Sequence, residues 1–388
     1  MGVQNFCKKE LIVQISVMDK NQQVFFELIK AGLWEKEVLL SQYGEIDFSE
    51  LYRLAEEQSV IGLVTAGFEH TTDIKIPKDV LLQFVGSTLQ IEQQSKDMNE
   101  LVVKLIDKLR NEGVYALLLK GQELAQCYEK PLWRSSGDVD LFLSDDNYNK
   151  AKKVLVPLAS SVEDEYVQGK HLGMTIDGFV VELHGNLHCP LSSKVVRGLK
   201  AIQDDSFFSG NVRSWLNDRT LIFLLSVEND IVYVFTHFLN HFYKEGVGLR
   251  QVCDWCRLLW TYRDQLNKKA LESRIKEMGL VSEWKAFAAV AVEWLGMPKE
   301  AMPMYDESHR WSKKANRIID FIMMSGNMGH NRDMSHFSIK PFIIRKCISA
   351  GRRIGDLINH ARIFPLDSLL FSFSIIKNGL RSAIRGEG

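Results

Sequence analysis

The chain has 388 residues, 46% of them apolar and 25% charged, with 48 Lys/Arg against 49 Asp/Glu. These are the proportions of an ordinary soluble globular protein of two or three domains. The net charge of −1 excludes a strongly basic whole-chain footprint, so nucleic acid is not the default partner, although a local basic patch stays open.

The opening stretch, MGVQNFCKKELIVQISVMDK, is broken by charges and has no long apolar core; no signal peptide or anchor is expected. Phe6 breaks the myristoylation pattern. No stretch approaches the roughly 18 uninterrupted apolar residues of a membrane span. Six scattered cysteines (Cys7, Cys127, Cys189, Cys253, Cys256, Cys347) read as reduced, mostly buried thiols, which points to a cytoplasmic protein.

From about residue 21 to 110 apolar residues recur at helical spacing, in VFFELIKAGLW, FSELYRLAEEQSVIGLVTAGF and DVLLQFVGSTLQIEQQSKDMNELVVKLIDKLRNEG. Asp47 is the expected N-cap region of the second segment and Gly113 ends the third. Residues 1–112 are thus expected to be a helical N-terminal region without chemistry.

The period changes at Val114. VYALLLKG reads as a short buried strand ended by Gly121, QELAQCYEK as a short helix broken by Pro131, and GDVDLFL as a second strand. DNYNKAKKVLVPLA follows as a helix capped by Asp145 or Asp146, completing a compact α/β unit. In KHLGMTIDGFVVELHGN, Asp177-Gly178 is a favoured two-residue hairpin turn. That turn pairs residues whose numbers sum to 355. Leu172, Met174, Ile176, Phe179, Val181 and Leu183 then share an apolar face. His171, Gly173, Thr175, Val180, Glu182 and His184 share the other. Gly173, opposite Glu182, is expected to leave open space there. After Pro190 the pattern is helical again, and a helical C-terminal domain is expected over 195–325. Residues 326–388 read as a loop followed by a basic helical tail.

The chemistry concentrates in RSSGDVDLFLSDD, residues 134–146. Alternate strand residues share a face, so Asp138 and Asp140 point the same way, about 7 Å apart, while Val139, Leu141 and Leu143 turn to the core. Buried carboxylates cost several kcal/mol unless paired or bound to a cation. If the hairpin lies beside this strand, Glu182 joins them and three carboxylates converge, a donor set for one or two Mg²⁺ ions. The alternative is an edge strand carrying solvated acids.

The runs LLLKG (117–121), RSSGDVDLFL (134–143) and VVELHGNL (180–187) resemble the nucleotidyltransferases of the DNA polymerase beta superfamily. More narrowly, they resemble bacterial nucleotidyltransferase-family proteins with LLKG, R-x-x-GD-[IV]-DLL and VELH. AGLWEKE, EEQSVIGLVTAGF and SGNMGHNRD extend that resemblance over most of the chain. It implies an α+β fold, a small mixed β-sheet core at 113–194 flanked by helical regions. It also implies Mg²⁺-dependent transfer of a nucleoside monophosphate from an NTP to a hydroxyl acceptor, with Mn²⁺ as the other candidate ion. Asp138, Asp140 and Glu182 would be the catalytic and metal-binding residues, Glu182 doubling as base. Lys120, Gly121, Arg134 and Gly137 would lie at the nucleotide. The chain departs from the superfamily at one turn, where Lys120-Gly121-Gln122 replaces the usual Gly-Gly or Gly-Ser, so Lys120 or Arg134 would supply charge to the phosphates. The competing reading is a binding protein that keeps this fold without catalysis.

The sequence leaves the acceptor open: a small molecule, a sugar or polysaccharide precursor, a protein side chain or an RNA end. His171 and His184 are candidates for substrate contact or proton transfer, against a plain role bonding neighbouring strands. Arg134 otherwise pairs with Asp138 or Asp140. HFLNH (237–241) and CDWC (253–256) have zinc-like spacing, but both lie in helical patterns with aromatic neighbours, where packing is the stronger reading. Residues 331–388 carry ten Lys/Arg against four Asp/Glu. This tail is expected to pack on its own protein; contact with an anionic membrane surface or a polymer is the alternative.

Overall fold

The computed structural model describes residues 19–244, 246–329 and 355–371. The expectations for the first eighteen residues, and for most of the basic tail, lie outside them.

The N-terminal helices form where the 3.6-residue spacing places them: α1 (Lys20–Trp34), α2 (Phe48–Glu57), α3 (Ile61–Glu69) and the long α4 (Lys78–Asn111). Asp19 and Asp47 cap α1 and α2, their carboxylates accepting otherwise orphaned N–H groups of Gln22, and of Ser49 and Glu50. The α/β unit follows as β1 (Ala116–Leu119), α5 (Gly121–Ala125), β2 (Asp138–Leu143), α6 (Asp145–Leu155), β3 (Ser161–Val162), β4 (His171–Ile176) and β5 (Phe179–His184). The N-cap of α6 is Ser144, not Asp145 or Asp146; both acids sit in its first turn, where the helix dipole favours them. Next come α7 (Ser193–Phe208), β6 (Val212–Asn217), β7 (Thr220–Leu225), α8 (Val227–Lys244), α9 (Leu249–Thr261), α10 (Lys268–Met278), α11 (Val281–Ala289) and α12 (His309–Ser325).

The fold is α+β, a mixed seven-stranded sheet in the order β3-β4-β5-β2-β1-β7-β6 with helices around it. The hairpin register matches the sequence: His171 faces His184, Gly173 faces Glu182 and Thr175 faces Val180. β5 lies parallel to β2 with Glu182 beside Asp140, and β1 lies antiparallel to β2 with Leu119 beside Asp140. The sheet reaches past residue 194. Residues 212–225 were expected within an all-helical domain but form the β6–β7 hairpin, β7 pairing with β1. The run LIFLL (221–225) is uniformly apolar, and such a run fits a buried helix or a buried strand equally well.

Two cores lie against the sheet. One joins Val139, Leu141, Leu143, Leu172, Met174, Val181 and Leu183 to Leu101, Val102, Leu105 and Ile106 of α4. The other joins Phe142, Leu117 and Leu119 to the N-terminal helices and the C-terminal helices together. Buried polar ties stitch those two groups. Gln58 accepts from the Leu249 N–H and donates to the Ile322 carbonyl, and Arg257 donates to the carbonyls of Leu33 and Cys127. No helix among the described residues is long and apolar enough to cross a membrane.

Candidate active site

Pleating turns Val139, Leu141 and Leu143 into the α4 core, so Asp138 and Asp140 emerge on the opposite face of β2. Glu182 emerges beside Asp140 on β5. One oxygen from each of Asp138, Asp140 and Glu182 lies within 4.8 Å of the others. The convergence expected from hairpin placement is present.

Asp140 is fully buried. Its Oδ1 receives His184 Nε2 at 2.6 Å, and Lys120 Nζ lies 3.0 Å from its Oδ2. That ammonium is misaligned for a hydrogen bond, so Oδ2 has a charge partner without a bonded donor. Burial opposes the charge on Asp140, but Lys120 and His184 hold its carboxyl below the usual range. Asp138 moves the other way: the charge of Asp140 and then burial push it up. Burial also opposes ionisation of Glu182. Hydrogen bonds from His171 and His184, at 3.0 and 3.3 Å, keep it well below the ordinary carboxylate range.

Lys120 owes its position to backbone strain. It occupies φ +52°, ψ −146°, a region that glycine adopts freely and other residues at a cost of about 1–3 kcal/mol. Gly121 follows at φ +48°, and a Cβ there would stand 3.3 Å from the carbonyl oxygen of Asp138. The side chain of Lys120 runs inward, 13% exposed, to lie between Asp140 and His237 Nε2, the latter 3.3 Å away. Burial works against its charge, but Asp140 holds the ammonium above its usual range.

Arg134 is not at the carboxylates. Its Nε and Nη2 donate to the two oxygens of Asp254 at 3.1 and 2.7 Å, and its Nη1 donates to Ser136 Oγ. Tyr128 Oη bonds the same Asp254, while Ser136 passes the network through Gln122 to the Ser95 carbonyl on α4. The segment before β2 is thus pinned to α4, α5 and α9, which aims Asp138. A Cβ on Gly137 would meet nothing, so packing does not demand glycine there. The space expected over Gly173 is filled by the Glu163 carboxylate.

Sequence reasoning missed Arg250, and it placed His237 on a helix without foreseeing its contact with Lys120. Arg250 Nη1 donates to the Ser135 carbonyl at 2.9 Å and its Nε has no hydrogen-bond partner. Its charge is felt at Asp138. With Ser59, Tyr128, Lys130, Trp133, Arg134 and Ser135 it lines a small cleft that none of the three carboxylates borders. His237 shares one α8 face with Tyr233 and His241, and that four-residue spacing was the available signal. Cys253 and Cys256 are fully buried in α9.

A strained turn, paired strands carrying three converging carboxylates and a buried lysine define a polar centre built for charged chemistry. The profile of a protein family described as "Uncharacterised nucleotidyltransferase" matches residues 44–296, well over half of the chain. The chain belongs to this family. No curated protein and no solved structure shows a significant match to it.

Proposed function

We propose that the chain transfers a nucleoside monophosphate from an NTP to a hydroxyl acceptor, with release of pyrophosphate and dependence on Mg²⁺ or Mn²⁺. The observation that carries this reading is the 4.8 Å convergence of Asp138, Asp140 and Glu182 within a chain of a nucleotidyltransferase family. The donor set suits a hard divalent cation: all-oxygen, partly buried, with Asp140 Oδ2 lacking a bonded donor. Bound there, such a cation would neutralise phosphate charge and lower the pKa of the acceptor hydroxyl.

The acceptor oxygen attacks the α-phosphorus, the bond to the β-phosphate oxygen breaks, and pyrophosphate leaves. His171 and His184 keep Glu182 ionised, which suits it to hold a cation and makes it a weak base. Asp138 lies beside it as a second carboxylate able to accept the hydroxyl proton. Lys120 reaches the same oxygens and can pass from Asp140 to a phosphate. Arg250, whose charge is felt at Asp138, takes the anion-holding role expected of Arg134, whose guanidinium is occupied by Asp254. The Lys120–Asp140 pair also favours a second reading, a protein that holds nucleotide without turnover, because the ammonium already compensates the acids.

Calorimetric titration of each Mg·NTP, with and without Asp138→Asn, tests binding; release of pyrophosphate from γ-labelled NTP tests turnover. Metal-dependent binding abolished by the substitution supports the site. Binding with no release in the presence of sugar, protein and RNA hydroxyl acceptors selects the second reading, and no binding of any NTP overturns both.

A further inference from the structure

The carboxylate face of the sheet carries a second, chemically different donor set. His171 of β4 and His184 of β5 are register partners with ring centroids 4.9 Å apart. Both Nε2 atoms converge on the same oxygen, Glu182 Oε2, at 3.0 and 3.3 Å. Donor atoms of His171, Glu182 and His184 all lie within 4.8 Å of one another. Donors sharing one ion at a bond length of about 2.1 Å sit at most about 4.2 Å apart. Small side-chain rotations close that difference.

A further acid borders the patch. The Glu163 N–H donates to the Gly173 carbonyl at 2.9 Å, and the Glu163 carboxylate occupies the place a Cβ of residue 173 would take. Gly173 faces Glu182, so alternation puts the Glu163 carboxylate on the Glu182 face. Negative charge is therefore gathered around two imidazoles, which is how a cation site is built.

We propose that His171, Glu182 and His184 bind an imidazole-preferring divalent ion such as Zn²⁺ or Co²⁺, with Glu182 shared between this site and the all-carboxylate one. Mg²⁺ prefers oxygen donors and gains little from histidine, whereas imidazole suits the transition ions. The two sets therefore sort ions by type across one strand. They are also coupled. His184 Nε2 now bonds Asp140 Oδ1 at 2.6 Å, and ligation would withdraw it, leaving that oxygen free for the carboxylate set. The site stands whether or not the chain transfers nucleotides.

The test is Co²⁺ titration of the metal-stripped full chain, followed by ligand-field absorption and bound metal per chain. Wild type and Asp138→Asn are each expected to bind Co²⁺ with nitrogen-type bands. His171→Ala should weaken binding by more than the roughly 10–100-fold that follows loss of an outer-shell partner. Circular dichroism checks its fold, and His171→Asn replaces it if alanine does not fold. Equal Co²⁺ affinity and spectra in wild type and the His171 variant would overturn the proposal. So would binding lost in Asp138→Asn but kept in the His171 variant, since the ion would then belong to the carboxylates. Failure of Mg·NTP binding alongside intact Co²⁺ bands would remove the transferase reading and leave the histidine site standing.

Discussion

Arg134 and Asp254 form a two-pronged buried ion pair that locks the segment before β2 onto α9. Removing one partner of such a pair strands the other charge, at about 3–5 kcal/mol. Asp254→Ala is therefore expected to destabilise the chain by that amount in urea unfolding. Arg134→Ala should do the same, and its Mg·NTP affinity should fall only together with that loss of stability, because the pinned segment aims Asp138. A variant with full stability but lost nucleotide affinity would return Arg134 to the phosphates.

Lys120 sets backbone against charge. Lys120→Gly relieves the positive φ and Lys120→Ala does not, while both remove the ammonium from Asp140. The glycine variant should be the more stable by about 1 kcal/mol or more. Chemical denaturation of the pair isolates the strain, because the lost ion pair is common to both. Equal stabilities would mean that residue 120 relaxes out of its strained conformation.

Repulsion between Asp138 and Asp140 makes a thermal prediction. The Asp138 carboxyl is raised by its neighbour's charge and by burial. Its proton is thus held more tightly in the folded chain than in the unfolded one, and stability falls as pH rises from the unfolded value through the raised one. In chelator at neutral pH, Asp138→Asn should melt above wild type. Added Mg²⁺ should raise the wild-type midpoint and leave the variant unmoved, because only a ligand of the folded state stabilises it.

Glu283 makes the same argument far from the carboxylates. It is fully buried on α11, accepts a hydrogen bond from Tyr243 Oη at 3.3 Å, and is raised to about 8 by burial and the charge of Asp367. Between an ordinary glutamate value and about 8 the folded chain binds the extra proton, so stability declines across that window, by on the order of a few kcal/mol. Glu283→Gln should be more stable than wild type at pH 9 and little different at pH 5. Parallel unfolding midpoints for the two proteins from pH 5 to 9 would contradict this.

The sequence disclosed whatever depended on period and turn chemistry. Asp177-Gly178 set the hairpin register, and with it the meeting of Gly173 with Glu182 and of His171 with His184. Alternation separated Asp138 and Asp140 from Val139 and Leu141. Tertiary partners were hidden. Nothing local in RSSG says that Arg134 seeks an acid 120 positions away, or that Arg250 approaches Asp138 from α9. The β6–β7 hairpin escaped because its inner strand is apolar from Leu221 to Leu225 and its turn, with Asp218 at φ +51°, lacks the glycine that marked the first hairpin. Glu163 escaped because a glycine's empty side is visible in sequence and its occupant is not.

The stitching of the N-terminal helices to the C-terminal ones separates inheritance from folding. The family match begins at residue 44, after α1. Yet Val24, Phe25, Leu28 and Ile29 of that helix have no exposed surface, and the Leu33 carbonyl anchors Arg257. A fragment cut at the family boundary would bare that apolar seam and take one of the carbonyl partners from a buried guanidinium. The stretch that the family profile covers is therefore shorter than the unit whose apolar core closes in this fold.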